Sequence, residues 1–176
     1  MTRSDWTAQQ VIDALGLVPL PVEGGMVRET YQSAARTDDG SPMGSAIYYL
    51  LQGDAFSHLH RLTGDELYHF YLGDPVELVE LLPDGSARKT VLGGDLLHGE
   101  CVQHLVPAGN WQGSRLADGG SWALLGTTMC PGYTADGYEH GDRSALLTQY
   151  PAASAAIRAL TGPAQHGLHY SATQQT

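Results

Sequence analysis

Residues 55–74 read AFSHLHRLTGDELYHFYLGD, and their reading decides the fold. Two runs rich in aromatic and branched residues flank the polar RLTGD, the pattern of two β-strands joined by a short loop. Side chains on a strand alternate between faces, so His58 and His60, two apart, are expected on one face. Glu66 opens the second strand, with Tyr68 and Phe70 on its face and His69 on the other. Two histidines and a carboxylate on a common interior are a donor set for an open-site divalent metal: Fe(II), Mn, Ni, Co or Zn. The same residues suit metal-free acid–base work, and they also suit plain hydrogen bonding in a barrel strand, with Glu66 held by Arg61 or Arg28.

Outward from this stretch the pattern persists. GSAIYYLLQG (44–53) is a strand, and further strands are expected at 101–107, 111–115 and 121–130. PVELVELLPDGSARKTVLGG reads as a hairpin, with Asp84-Gly85 carrying the chemistry of a two-residue turn. Ala8, Val11, Ile12 and Leu15 fall at helical spacing behind a Ser4 or Thr7 cap and before Gly16. A second helix is expected over about 151–161, opened by Pro151 and stopped by Gly162. PVEGGMVRETYQS (21–33) bends at its glycine pair and then runs extended. Strands at regular turn spacing predict an all-β sandwich or barrel, in which a small ligand sits at the mouth. A single domain over 1–162 and a mobile tail over 163–176 are the expected organisation.

Composition narrows the function classes. Nine basic residues face nineteen acidic ones, a net charge of −10, which repels nucleic acid and anionic lipid. No long apolar run or leader-like segment is present, so a cytoplasmic location is expected. Cys101 and Cys130 are too few for a disulfide framework and read as small buried hydrophobes. His98 reads as a loop residue, and His140, His166 and His169 receive no role.

These stretches carry a resemblance. His58, His60, Glu66 and Gly73 resemble the first signature motif of the cupin superfamily, H-x-H, a gap, E, six residues, G. Pro107 and Gly109 match the second, P-x-G-x-x-H, with Gln112 in place of its histidine. PVEGGMVRETYQS, SAIYYLL, HRLTGDELYHFYLGDP, VPAGNWQGS and MCPGY with GYEHGDR together resemble the cupin-5 group, from about Val11 to Arg143. That group has His-Pro before Glu-Gly-Gly, where this chain has Pro21-Val22 before Glu23-Gly24-Gly25.

The resemblance implies a double-stranded β-helix, the cupin jelly-roll barrel, with short flanking N- and C-terminal helices. By motif position Gln112 points inward and Trp111 outward. His60, Glu66 and Tyr68 are the expected catalytic residues, as in cupin sugar epimerases, where a histidine abstracts a proton and a tyrosine returns one. Gln112, Gln103, Phe70, Arg28 and Glu23 are the expected ligand contacts, His104 faces away, and Tyr133 and Tyr138 close one end of the barrel. The metal version uses His58, His60 and Glu66. A cupin enzyme of isomerase, epimerase or cyclase type is one reading, and a non-catalytic metabolite binder is the other. Open strand edges predict a homodimer.

Overall fold

The computed structural model describes residues 6–162. Its first helix, α1 (Ala8–Leu15), starts at Thr7, whose hydroxyl accepts from the Gln10 N–H while the Gln10 side chain accepts from the Thr7 N–H. Gly16 ends it at φ +62°. Val11 and Ile12 pack on Leu50, Trp122 and Leu124, covering the outside of the larger sheet.

That sheet contains β1 (Val18–Pro19), β2 (Met26–Gln32), β3 (Ser45–Gln52), β5 (Asp65–Gly73), β8 (Gln103–Val106) and β10 (Trp122–Cys130). Their spatial order is β1-β2-β3-β10-β5-β8. The second sheet holds β4 (Phe56–Leu62), β6 (Val76–Leu81), β7 (Ala87–Leu92), β9 (Trp111–Leu116) and β11 (Tyr138–His140), in the order β11-β4-β9-β6-β7. All named pairs are antiparallel, giving the two-layered jelly roll expected from the strand pattern. Period two is visible in β3: Ile47, Tyr49 and Leu51 face the interior, while Tyr48 and Leu50 face α1. The interior continues through Tyr68, Leu78, Leu92 and Leu125.

Three local expectations need correction. The β6–β7 loop has three residues, Pro83 to Gly85, between Leu82 and Ser86, whose N–H···O bond closes it at 2.8 Å. Only Gly85 takes a positive φ there, +87°, whereas the two-residue turn requires it twice. The helix expected from Pro151 runs as a 3-10 turn at Pro151–Ala153 continued by α3 (Ser154–Ala159), and a further helix before it, α2 (Arg143–Gln149), was not expected from the sequence. Pro151 excludes helical geometry from Tyr150, so the chain turns there and starts again. Leu146, Tyr150, Ile157 and Leu160 then cover Leu59, Val79, Leu81 and Trp111 on the outside of the smaller sheet. Cys130 is exposed and Cys101 half-buried, so neither is the core hydrophobe expected. The expected tail lies outside the described residues, and among those described no helix is long and apolar enough to cross a membrane.

The consequential irregularity is in β4. Ser57 pairs with Ser114 and His60 with Gln112, so His58 and Leu59 together oppose Gly113 in a β-bulge. The His58 N–H donates to the Glu23 carbonyl (2.8 Å), the Leu59 N–H to the Leu160 carbonyl (2.8 Å), and the Gly141 N–H to the Leu59 carbonyl (2.8 Å). A Cβ on Gly113 would lie 2.9 Å from the Ser57 carbonyl oxygen and 3.3 Å from the Leu59 Cα, both backbone atoms with little freedom. Gly113→Ala is therefore expected to cost about 1–3 kcal/mol, the range for overpacking. Urea unfolding measures it, and an unchanged midpoint would mean that the bulge is not tightly packed.

Candidate functional site

The bulge decides which histidine faces the interior. With one residue inserted between Ser57 and His60, His60 stays inward and His58 turns out to stack on His140, ring centroids 3.7 Å apart. This corrects the expectation that His58 and His60 share a face. Burial lowers the pKa of both His58 and His140, so the stacked pair is held neutral.

His60 lines a cavity of about 140 Å³ between the sheets together with Glu23, Glu66, Tyr68 and Tyr138. It is 2% exposed. Its Nδ1 lies 2.7 Å from the His58 carbonyl oxygen, an acceptor, so Nδ1 is the donor there, and in the neutral ring the lone pair falls on Nε2. Tyr138 stacks on the imidazole at 5.2 Å.

Glu66 is 6% exposed, and Gln112 Nε2 donates to its Oε2 at 2.6 Å. Burial raises its pKa above the ordinary carboxyl range, against the opposing effects of His60 and a Thr127 hydrogen bond. Tyr68 hydrogen-bonds Glu66, and burial followed by the Glu66 and Glu23 charges pushes its phenol well up. Glu66 is thus a carboxyl that burial holds toward its neutral form.

Glu23 comes from the turn before β2, where Val22 takes φ +70°, an outlier for a β-branched residue. Ser57 Oγ donates to Glu23 Oε1 at 2.8 Å, and Tyr49 donates its hydroxyl to the Gly24 carbonyl at 3.0 Å. Gly25 is required there: its φ is +75°, and a Cβ would fall 2.7 Å from the Tyr49 hydroxyl.

The structure thus brings His60, Glu66, Tyr68 and Glu23 together, with Gln112 behind Glu66. It leaves the other expected contacts elsewhere. Arg28 Nη1 donates to the Leu15 carbonyl at 2.8 Å and ties β2 to the end of α1. Neither Arg28 nor Arg61 holds Glu66, because Arg61 pairs with Glu139 and lies over Trp111. Phe70 packs against the main core outside the cavity. Gln103 is exposed and bonds His69 Nδ1, while His104 faces inward, the reverse of the expectation. The register explains it: His104 pairs with the inward Tyr68, and Gln103 with the outward His69. His104 Nε2 meets Glu80 Oε2 at 2.7 Å, and the buried Glu80 is held further by the exposed Arg88 and the buried Asn110.

The expected metal set does not survive this geometry. With His58 turned outward only His60 and Glu66 remain, and Gln112 meets Glu66 through its N–H while its Oε1 has no partner. Among the described residues no three His, Cys, Asp or Glu side chains gather as metal donors. Tyr49, Tyr133, Thr127 and Tyr138 also line the cavity. Of these only Tyr133 and Tyr138 drew attention in the sequence, as an end closure. The alternation of Ile47, Tyr49 and Leu51 was the available signal for Tyr49.

A family model described as Cupin superfamily (DUF985) matches residues 9–141. A solved protein from Shewanella oneidensis is 36% identical over 90% of this chain and 99% of its own, with a TM-score of 0.84. A hypothetical protein from Leishmania major is 31% identical over 88% and 98%, with a TM-score of 0.82. A cupin 2 domain-containing protein from Halorhodospira halophila shares the fold alone, at 11% identity, a TM-score of 0.54, and coverage of 77% of this chain and 81% of its own. No curated protein matches the chain.

A raised carboxyl pKa has a definite sign in stability. Below the ordinary value of 4.5 Glu66 is protonated in both the folded and unfolded states and costs nothing. As pH climbs above that value the unfolded chain ionises first, so folding stability falls until the folded pKa is passed. Glu66→Gln lacks this loss, and its stability relative to the parent is expected to grow with pH above 4.5 in urea unfolding. Parallel profiles for the two proteins would show that burial does not perturb Glu66.

Proposed function

The chain belongs to the cupin superfamily, in the family described as DUF985, and from that membership and the cavity we propose that it moves a proton on a small molecule held between its sheets. The reading is of isomerase or epimerase type, and the observation that carries it is the pairing in one cavity of Glu66 with His60, whose Nδ1 is bound to the His58 carbonyl and whose Nε2 is the nitrogen left to act as base. In this reading His60 Nε2 takes a proton from a carbon beside a carbonyl. The C–H electron pair moves into the carbonyl, and its oxygen takes the proton of the neutral Glu66 carboxyl. Return of the His60 proton to carbon, while the enol hydroxyl gives its proton back to Glu66 and the carbonyl re-forms, completes the isomerisation with no net redox change and restores both side chains. Tyr68 hydrogen-bonds Glu66 and, with burial making its phenol a weaker acid, takes the positioning role in this reading. Gln112 orients the same carboxyl from behind. The residues do not fit the metal version, and no step here uses one.

The chain is further read as a homodimer: edge strand β8 carries Leu105 at 47% exposure, and Leu97 nearby in sequence is 94% exposed.

Deuterium uptake tests the proton transfer. The protein is incubated in heavy water with a panel of small neutral, cationic and anionic carbonyl compounds, and each is weighed by mass spectrometry. At least one member is expected to gain deuterium at carbon, with His60→Gln reducing the rate by about 10²-fold or more, the usual weight of general base catalysis. No uptake across the panel, or uptake indifferent to His60→Gln, would leave a cavity that binds without chemistry.

A further inference from the structure

Resting on the reading of the cavity as a ligand site, though not on the proton transfer, we propose that its ligand is a small organic cation, recognised as an ammonium by carboxylates and tyrosine rings. Two carboxylates line the cavity, Glu23 inside and the exposed Glu29, beside the carboxyl of Glu66, and among the described residues no lysine or arginine does. The arginines nearest in sequence to the lining residues are engaged elsewhere, Arg28 on the Leu15 carbonyl and Arg61 on Glu139. A carboxylate or phosphate ligand would enter this pocket with no countercharge, and an uncompensated buried anion is costly.

The lining is also rich in acceptors and poor in free donors. Glu23 has one oxygen taken by Ser57 and a second left, and His60 offers the Nε2 lone pair. An ammonium group is donor-only, the complement of that set. The hydroxyls of Tyr49 and Tyr138 are tied to the Gly24 carbonyl and to His140 Nδ1 (3.2 Å). What these two residues add to the lining is therefore ring surface, and with Tyr68 and Tyr133 they supply four aromatic rings. Cations are attracted to such rings, more strongly when desolvated. The local field agrees in sign: after burial itself, the Glu23 charge is the next cause raising the phenols of Tyr49, Tyr133 and Tyr138. A cavity of about 140 Å³ takes a molecule on the scale of one benzene ring.

The test is calorimetric titration of the full chain at neutral pH with three probes of one shape: benzylammonium, benzyl alcohol and benzoate. Benzylammonium is expected to bind about tenfold tighter than benzyl alcohol, the scale of one charged hydrogen bond, with benzoate weakest. Glu23→Gln keeps an acceptor for Ser57 and is expected to remove most of that preference, weakening benzylammonium more than benzyl alcohol. Glu29→Gln, at an exposed position, is expected to reduce it less and serves if Glu23→Gln does not fold. Benzoate or benzyl alcohol binding as tightly as the ammonium, or no binding by any probe, overturns the inference. Ammonium binding without deuterium uptake sinks only the proton transfer, and uptake confined to anionic compounds sinks only the choice of a cation.

Discussion

The site depends on one irregularity, the extra residue in β4 at His58 and Leu59. A bulge frees backbone groups, and here each finds a partner from a different part of the chain: Glu23 for the His58 N–H, Leu160 for the Leu59 N–H, Gly141 for the Leu59 carbonyl. Those bonds fasten the Glu23 turn, the segment after β11 and the end of α3 onto the same strand. The His58 carbonyl meanwhile receives His60 Nδ1 and fixes its tautomer. One local distortion therefore places an acid, sets the protonation of a base and seats the covering helices.

Two buried glutamates show how surroundings decide charge. Burial works to raise Glu80, but hydrogen bonds from Arg88, His104 and Asn110 outweigh it and hold its carboxyl below the ordinary range. Glu66 has Gln112, Thr127 and Tyr68 as neighbours, and burial wins. The first is an internally satisfied ion cluster that joins β6, β7 and β8. The second is a carboxyl kept near neutrality beside a cavity, the condition under which a side chain can both hold and release a proton.

The aromatic lining belongs to the same economy of partners. Tyr49 and Tyr138 turn their hydroxyls to protein acceptors, so the cavity gains apolar surface without unsatisfied donors. The carboxylates around it are then the dominant polar feature. Glu23 and Glu29 place part of the net charge of −10 at this cavity.

Period-two alternation, turn residues and helix caps were enough to determine the all-β layering, α1 with its Thr7 and Gly16 ends, and the inward placement of Glu66 and Tyr68 from the opening stretch. They also brought His60 forward, while Glu23 came from the family resemblance. The alternation reading failed for His58 because it assumes an unbroken pleat, and one inserted residue turns a side chain to the other face. That insertion is held by Gly141 and Leu160, distant in sequence, so nothing local announces it. His104 and Gln103 exchanged faces for a related reason, since the direction of a short edge strand is set by its register with β5. Which tyrosines meet around His60, and that the donor set lacks a third metal ligand, were decided only when distant segments closed over one strand.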